Sequence, residues 1–304
     1  MEYCLTVDNL SKKYRKSLAL DDLTMRVPKG AIYGFIGKNG AGKTTLIRTI
    51  CGLQLPTSGT YSLYDVPYNS KEIYFSRRRM GAIVETPALY GQMSARDNLK
   101  QQYILLGKPS FDGIDELLEL VGLNDTGKKP VKNFSLGMRQ RLGIAIAMAG
   151  DPDFIVLDEP TNGLDPQGIV EIREIILKLN KERNITFLIS SHILDELSKL
   201  ATHYGFIDKG KMIKEITKSQ LEPTLKKRII FKVDNDVELC SALEETGLQY
   251  KLTSSLEGEL YGEITMTAFS DILKSHGITL IKANESDETL EAYFIDLLGG
   301  KKND

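Results

Sequence analysis

The sequence predicts an α/β fold built on a mostly parallel sheet, and three observations support this prediction. An apolar, β-prone run at Ala31–Ile36 leads into GKNGAGKTT at residues 37–45, and apolar residues then recur at helical spacing. A second apolar run, Phe154–Leu157, ends in two acidic residues. A helix-like stretch at Ile169–Glu182 and a strand-like stretch at Ile185–Ser190 follow it. Apolar strands that alternate with helices are typical of a buried parallel sheet.

Residues 37–45 match G-x-x-x-x-G-K-[ST], in the strand–loop–helix setting that a phosphate-binding loop requires. Glycines allow the backbone to wrap around phosphate oxygens, and the helix start adds a partial positive charge. Lys43 can reach the β- and γ-phosphates, and Thr44 offers a hydroxyl to Mg²⁺. A chance glycine turn is the alternative. We predict a nucleoside triphosphate site made of the loop residues Gly37, Lys38, Asn39, Gly40, Ala41, Gly42, Lys43, Thr44 and Thr45.

Asp158 and Glu159 end the strand that Phe154 begins. In a protein that already holds Mg²⁺ and a triphosphate, an aspartate at this place fixes the metal, usually through water. A second carboxylate one residue later can activate the attacking water as a general base. Two acids at a strand end are also a common helix N-cap. The phosphate-binding loop upstream favours the catalytic interpretation.

Ser135 begins a predicted helix over residues 135–150. Its hydroxyl and the free N–H groups of the helix start form an anion site, and Gly137 lets a phosphate approach the backbone. Taken alone, the stretch is better explained as a simple capped helix start.

The composition limits the class of protein. The chain has 304 residues, 41% of them hydrophobic and 26% charged, so it can bury a sizeable core. A net charge of −2 argues against a nucleic-acid partner. The three scattered cysteines form no disulfide framework, and they favour a reducing compartment. No run approaches 18 apolar residues, so we expect a soluble chain, and any membrane role would have to come through a partner.

Two domains are predicted. Residues 1–216 carry the motifs above, with an antiparallel β subdomain, strands at residues 2–10 and 19–27, and a helical insertion at about 86–134. Residues 217–304 alternate strand-like and helix-like stretches in the order βαββαβ, with a final helix. This order predicts a small α+β domain of split-βαβ type.

Other nucleotide-binding classes fit less well. A GTPase needs the guanine motif N-K-x-D, whereas residues 180–183 read NKER and lie in a predicted helix. Residues 165–168 fit the loose pattern D-x-x-G, but they follow the two acids and no guanine motif accompanies them. A small-molecule kinase needs no catalytic glutamate next to the aspartate.

Taken together, residues 3–216 resemble the nucleotide-binding subunit of an ABC transporter, a P-loop ATPase. The resemblance rests on the Walker A loop, the signature FSLGMRQRLGIA, the Walker B run FIVLDEP, the D-loop at 162–165 and the switch histidine His192. It implies ATP and Mg²⁺ as cofactors, and two copies that dimerise beneath a separate membrane permease. It also implies a cytoplasmic protein, peripheral on the inner face of the membrane. Residues 217–304 resemble the accessory C-terminal domain of some such subunits.

The resemblance implies a role for each matched residue. Tyr14, in the predicted connection between the first two strands, would stack on adenine; a locally packed turn tyrosine is the alternative. Asp158 would support the metal, Glu159 would activate the attacking water, and His192 would contact the γ-phosphate. Ser135 and Gly137 would complete the site of a second copy, and Asp165 would communicate between the two sites.

Two departures from the family pattern stand out. The signature has Leu136 and Met138 around Gly137, where the commoner sequence has a glycine and a glutamine. Glu85 occupies the position of the Q-loop glutamine. A carboxylate cannot donate the hydrogen bonds of an amide, so its contact with metal and water must differ. We expect Glu85 to ligate Mg²⁺ and to reposition the water.

Glu85 together with SLGM resembles the branch of bacitracin-resistance and lantibiotic-immunity exporters. This predicts export of an antimicrobial peptide, with Leu89, Tyr90 and Leu99 of the insertion as candidates to contact the permease. Internal packing of the insertion is the alternative for each of the three. An importer, a drug or lipid exporter, and a soluble ABC ATPase acting on ribosomes or DNA are the alternatives. The soluble class is less favoured because the chain has a single Walker A and no sustained heptads.

Overall fold

A computed structural model describes residues 2–15, 17–225, 227–287 and 289–299. The chain divides between Lys218 and Ser219 into two compact units, and each has its own cluster of buried apolar side chains. The strands of the first unit are β1 (Tyr3–Tyr14), β2 (Ser17–Pro28), β3 (Ile32–Ile36), β4 (Ser58–Leu63), β5 (Val66–Pro67), β6 (Met80–Ile83), β7 (Phe154–Asp158), β8 (Thr186–Ser191), β9 (His203–Asp208) and β10 (Lys211–Thr217). Its helices are α1 (Lys43–Ile50), α2 (Ile73–Arg78), α3 (Ala95–Leu105), α4 (Ile114–Leu120), α5 (Leu136–Met148), α6 (Pro166–Arg183) and α7 (Leu194–Ser198).

The central sheet of the first unit has the strand order β10-β9-β3-β8-β7-β6. Its strands run parallel from β9 to β6, and β10 pairs antiparallel with β9. Strands β3, β7 and β8 are buried along their whole length, as their apolar sequences require. The predicted mostly parallel sheet is confirmed.

The register of this sheet positions the site. Ile36 pairs with Ser191, and Asp158 pairs with Ser190, so β3, β7 and β8 end at the same edge. In an α/β sheet, ligands bind at the carboxyl ends of the strands. The glycine-rich loop, Glu159 and His192 all follow directly from this edge.

A separate antiparallel sheet has the order β2-β1-β4-β5, which confirms the predicted antiparallel subdomain. β1 and β2 are longer than predicted, and Tyr14 pairs with Ser17. The placement of Tyr14 in a connecting loop was therefore wrong, because β1 continues to it. The predicted insertion contains α3 and α4, and Ser94 caps α3 by accepting a hydrogen bond from Asp97 N at 3.1 Å.

The second unit follows α8 (Lys218–Leu221), which crosses the boundary between the units. Its elements are β11 (Lys227–Val233), α9 (Leu239–Glu245), β12 (Gln249–Leu252), β13 (Glu257–Tyr261), α10 (Met266–Ser275), β14 (Leu280–Asp287) and α11 (Leu290–Gly299). The order agrees with the predicted βαββαβ and final helix. The strands form one antiparallel sheet, β12-β13-β11-β14. Thr265 caps α10 by accepting a hydrogen bond from Ala268 N at 3.2 Å.

Within the described ranges, no helix combines the length and the apolar character needed to cross a lipid bilayer.

Candidate functional site

The glycine-rich loop is shaped by close contacts with its own protein neighbours. Gly42 has a φ of 114°, and a Cβ there would lie 2.5 Å from the carbonyl oxygen of Ala19. A Cβ on Gly37 would lie 2.6 Å from the carbonyl oxygen of Ile207. Only glycine fits at these two positions. From the sequence, we explained the glycines only by the close approach of phosphate. The packing of the loop against Ala19 and Ile207 is a second reason why glycine is required at residues 42 and 37.

Lys43, the first residue of α1, is 5% exposed. Its Nζ donates a hydrogen bond to the carbonyl oxygen of Gly37 at 2.6 Å and lies 3.1 Å from Glu159 Oε1. A buried ammonium is tolerated only when it has such partners. The lysine is therefore held at the phosphate loop, with a carboxylate that balances its charge.

Glu159 bridges Lys43 and His192. Its second oxygen, Oε2, lies 2.6 Å from His192 Nδ1. The backbone of Glu159 has a φ of 51°, which is uncommon for a residue with a side chain, and such conformations cluster at functional sites. Ser190 holds this backbone, because Glu159 N donates to the carbonyl oxygen of Ser190 at 3.2 Å and to its Oγ at 3.0 Å.

Asp158 is 1% exposed, and only one of its two carboxylate oxygens has a hydrogen-bond partner. Oδ1 accepts a hydrogen bond from Ser190 Oγ at 2.6 Å, whereas Oδ2 is buried without a hydrogen-bond partner. Buried polar atoms are normally paired, so an unpaired carboxylate oxygen fits a cation. Sequence reasoning missed Ser190. Its place next to Ser191 and His192 was the available signal, but its contact with Asp158 depends on strand register.

One pocket gathers most of the predicted catalytic residues. It is lined by Ala19, Asn39, Gly40, Gly42, Lys43, Thr44, Thr45, Glu159, Asn162 and His192. The structure thus brings the phosphate loop, the proposed general base and the switch histidine to one place. Ala19 and Asn162 had not been predicted as lining residues.

Ser135, Gly137 and Asp165 do not line this pocket. Ser135 caps α5 through a hydrogen bond from Met138 N at 3.2 Å, and Asp165 caps α6 through one from Gly168 N at 3.0 Å. A Cβ built on Gly137 would lie 3.8 Å from a methyl carbon of Leu164. The start of α5 and the D-loop are therefore neighbours.

Glu85 and Tyr14 also lie outside the lining of the pocket. The Glu85 backbone has a φ of 63°, and its Oε1 lies 2.5 Å from Arg48 Nη2 on α1. Tyr14 is 42% exposed and donates a hydrogen bond from its hydroxyl to the side-chain oxygen of Gln54. The catalytic and metal-binding role of Glu85 and the stacking role of Tyr14 stay predictions.

A groove on another surface of the first unit lies between α2, β6, α3 and α5, and Leu53, Tyr74, Pro87, Leu105 and Ile146 are among its lining residues. Of the three contact residues predicted from the insertion, Leu99 is fully buried. Its choice as a contact residue was wrong, because a fully buried side chain has no surface to offer a partner. Leu89 and Tyr90 do not line the groove. Tyr74, 60% exposed on α2, lines the groove and had not been singled out from the sequence.

Comparison with known proteins defines the class. A family model described as "ABC transporter" matches residues 20–162. This match covers the phosphate loop, the signature and both Walker B acids, and relatives at 36–40% identity extend it to 99% of the chain. The chain belongs to the ATP-binding subunits of ABC transporters, which bind ATP and hydrolyse it to power transport.

Three similar proteins illustrate the range of the match. The bacitracin transport ATP-binding protein BcrA of Bacillus licheniformis is 40% identical, over 99% of both chains. The lantibiotic transport ATP-binding protein SrtF of Streptococcus pyogenes is 45% identical, over 75% of this chain and 98% of its own. Among solved structures, cbiO1 from Clostridium perfringens, part of the ABC transporter complex cbiONQ, is 28% identical with a TM-score of 0.66. That match covers 73% of this chain and 92% of cbiO1.

Proposed function

We propose that this chain powers the removal of an antimicrobial peptide from the cell membrane through a separate permease. Relatives matched over nearly the whole chain carry bacitracin transport in their names, and a shorter one carries lantibiotic transport. Bacitracin and lantibiotics are both peptide antibiotics. In this proposal the chain acts as a homodimer in the cytoplasm, on the inner face of the membrane. Export of a drug or lipid is the alternative substrate class.

The observation that carries the catalytic part of the proposal is the placement of Glu159 between Lys43 and His192. When ATP enters the pocket, its phosphates offer Lys43 stronger partners than Glu159 does. Glu159, freed from Lys43, accepts the proton of the attacking water as general base. His192, hydrogen-bonded to the same carboxylate, contacts the γ-phosphate and keeps the base and the water aligned.

Mg²⁺ fits the residues at the edge of the sheet. The unpartnered Oδ2 of Asp158 and the hydroxyl of Thr44, which lines the pocket, would hold the ion. Mg²⁺ usually takes one or two protein oxygens and completes its octahedron with water and phosphate oxygens. Among the described residues, no group of three or more His, Cys, Asp or Glu side chains is placed to hold a metal ion. The ion would neutralise the charge that develops on the phosphates.

A second copy would complete the site. Ser135 and Gly137 lie at the start of α5, where a hydroxyl and free N–H groups can bind the γ-phosphate of a partner. The D-loop lies next to this helix start, which supports a role for Asp165 in communication between two such sites. ATP would then hold the two copies together, and hydrolysis would release them.

The groove between α2 and α5 would receive a short cytoplasmic helix of the permease. Leu53, Tyr74 and Leu105 line it and remain 66%, 60% and 72% exposed. Clustered exposed apolar side chains of this size mark interaction surfaces. An amphipathic helix laid in such a groove would bury them.

The ATPase part is tested by Glu159→Gln. The amide keeps the shape but cannot accept the proton, so turnover should fall at least ~100-fold while ATP-dependent dimerisation is retained. Phosphate release and light scattering measure the two effects. Glu174→Gln, the same change at an exposed position of α6, should leave both unchanged. Full turnover by Glu159→Gln would remove this residue from its role.

The substrate part is tested in cells that express the chain together with its permease. We expect increased tolerance to bacitracin or to a lantibiotic, and loss of that tolerance with Glu159→Gln. Cells that make an active ATPase but gain no protection against any peptide antibiotic would contradict the peptide proposal and leave the ATPase assignment intact.

A further inference from the structure

Gln54, in the turn after α1, connects Tyr14 to the helix that carries the phosphate loop. Its Nε2 donates hydrogen bonds to the carbonyl oxygen of Thr45 at 2.8 Å and to Thr49 Oγ1 at 3.0 Å. Its Oε1 accepts the hydrogen bond from the Tyr14 hydroxyl. One side-chain amide therefore joins the end of β1 to the first turn of α1.

The chemistry of these contacts requires an amide. The carbonyl oxygen of Thr45 accepts only from a donor, so the nitrogen of Gln54 must face it, and the oxygen of Gln54 then accepts from the Tyr14 hydroxyl. A carboxylate could accept from Tyr14 but could not donate to Thr45. An aliphatic side chain could do neither.

The tether leaves part of the Tyr14 ring accessible. Tyr14 remains 42% exposed, while the Lys12 ammonium lies 5.3 Å from the ring centroid and donates to the carbonyl oxygen of Leu55 at 2.6 Å. Lys12 lies over the ring, and the exposed part of the ring offers an aromatic surface on which a planar base could stack. With its hydroxyl held by Gln54, the ring cannot turn away from α1.

We propose that Gln54 is a positioning residue for nucleotide binding, because it fixes the Tyr14 ring at a set distance from the phosphate loop. The inference rests on the proposed stacking of Tyr14 on adenine. In this proposal Gln54 itself contacts neither the base nor the phosphates. It fixes the position of the Tyr14 ring, which would bind the base, relative to the loop that would bind the phosphates. Pre-organisation of this kind raises affinity, because the ring need not be ordered when the ligand binds. Its effect should be confined to ligands that carry a base.

The test compares Gln54→Leu, Tyr14→Phe and the double variant in the full chain, with ATP and with tripolyphosphate, which has no base. Each single variant should bind ATP about fivefold more weakly, the factor that one net hydrogen bond is worth. The double variant should be no weaker than either single variant, because both changes break the same bond. Affinity for tripolyphosphate should stay unchanged in all three. In ATPase assays the loss should fall on KM rather than on kcat.

Two further variants separate the possible failures. Tyr14→Ala removes the ring itself and should weaken ATP binding more than Tyr14→Phe; unchanged binding would refute the stacking on which the inference rests. If Tyr14→Ala weakens ATP binding but Tyr14→Phe and Gln54→Leu do not, stacking stands and the role of Gln54 is refuted. If Gln54→Leu weakened the binding of tripolyphosphate as much as that of ATP, the positioning role of Gln54 would also be refuted, since the damage would then be to the phosphate loop. Gln249→Leu, at an exposed glutamine of the second unit, is the matched control.

Discussion

At the scale of single residues, Ser190 holds both Asp158 and Glu159, to which we assign metal binding and general-base catalysis. Its hydroxyl donates to Asp158 and accepts from the backbone N of Glu159, and the side chain is fully buried. Ser190→Ala should lower the free energy of unfolding by about 1–3 kcal/mol, the usual range for leaving buried polar groups unpaired. It should also lower kcat, because the general base loses its support. Urea unfolding and phosphate release measure the two effects.

Ser191→Ala is the matched control for this prediction. Ser191 is also buried, but its hydroxyl bonds only to the backbone of Ile193 in the contacts described. Its removal should therefore affect turnover less than the change at Ser190. Equal losses at the two positions would contradict the support role of Ser190.

The chain has three histidines, and the structure predicts the titration order of two of them. Hydrogen bonds from the His276 ring to Glu245 at 2.7 Å and to Glu238 at 3.2 Å raise its pKa. Burial lowers the pKa of His203. In an NMR titration, His276 should therefore lose its proton at a higher pH than His203, and Glu245→Gln should lower the pKa of His276 alone. The reverse order would contradict these contacts.

The raised pKa of His276 also determines how its contribution to the free energy of unfolding changes with pH. The pKa of His276 in the folded protein lies above its unfolded value of about 6.5. The contribution of His276 to the free energy of unfolding is therefore fully present below about pH 6.5. The contribution is lost as pH rises through the folded pKa. His276→Gln should therefore destabilise the protein at acidic pH and have little effect at alkaline pH.

At the scale of elements, the loop before α1 makes different demands on two of its glycines. Gly42→Ala would combine a positive φ with a Cβ 2.5 Å from a carbonyl oxygen, whereas a Cβ on Gly40, at a φ of 79°, would meet nothing within 4 Å. Gly40→Ala should cost about 1 kcal/mol from the backbone conformation alone. Gly42→Ala should cost more and should abolish ATP binding. Equal effects in thermal unfolding and binding assays would contradict the packing described.

The sequence predicts most of these elements because their signals are local. Apolar runs mark β3, β7 and β8, and Ser135 marks the start of α5. Properties that depend on tertiary contacts could not be predicted from the sequence. The burial of Leu99 depends on tertiary packing, and the bond between Ser190 and Asp158 depends on strand register.

At the scale of the whole molecule, two units with separate cores are joined in one chain. SrtF matches only 75% of this chain although 98% of its own length is covered, whereas BcrA matches 99%. Transport ATP-binding proteins of this family therefore occur without a counterpart for part of this chain. We propose that residues 217–304 support the dimer or regulate it. The motifs predicted the first unit in detail because phosphate chemistry restricts residue types, and no such chemistry marks the second.

The most direct test of the account is a structure of Glu159→Gln with Mg²⁺ and ATP bound. We expect a head-to-tail dimer in which Lys43 of one copy and Ser135 of the other both lie within hydrogen-bond distance of the same γ-phosphate. A bound triphosphate with no Ser135 near it, in every assembly that the protein forms, would contradict the central claim.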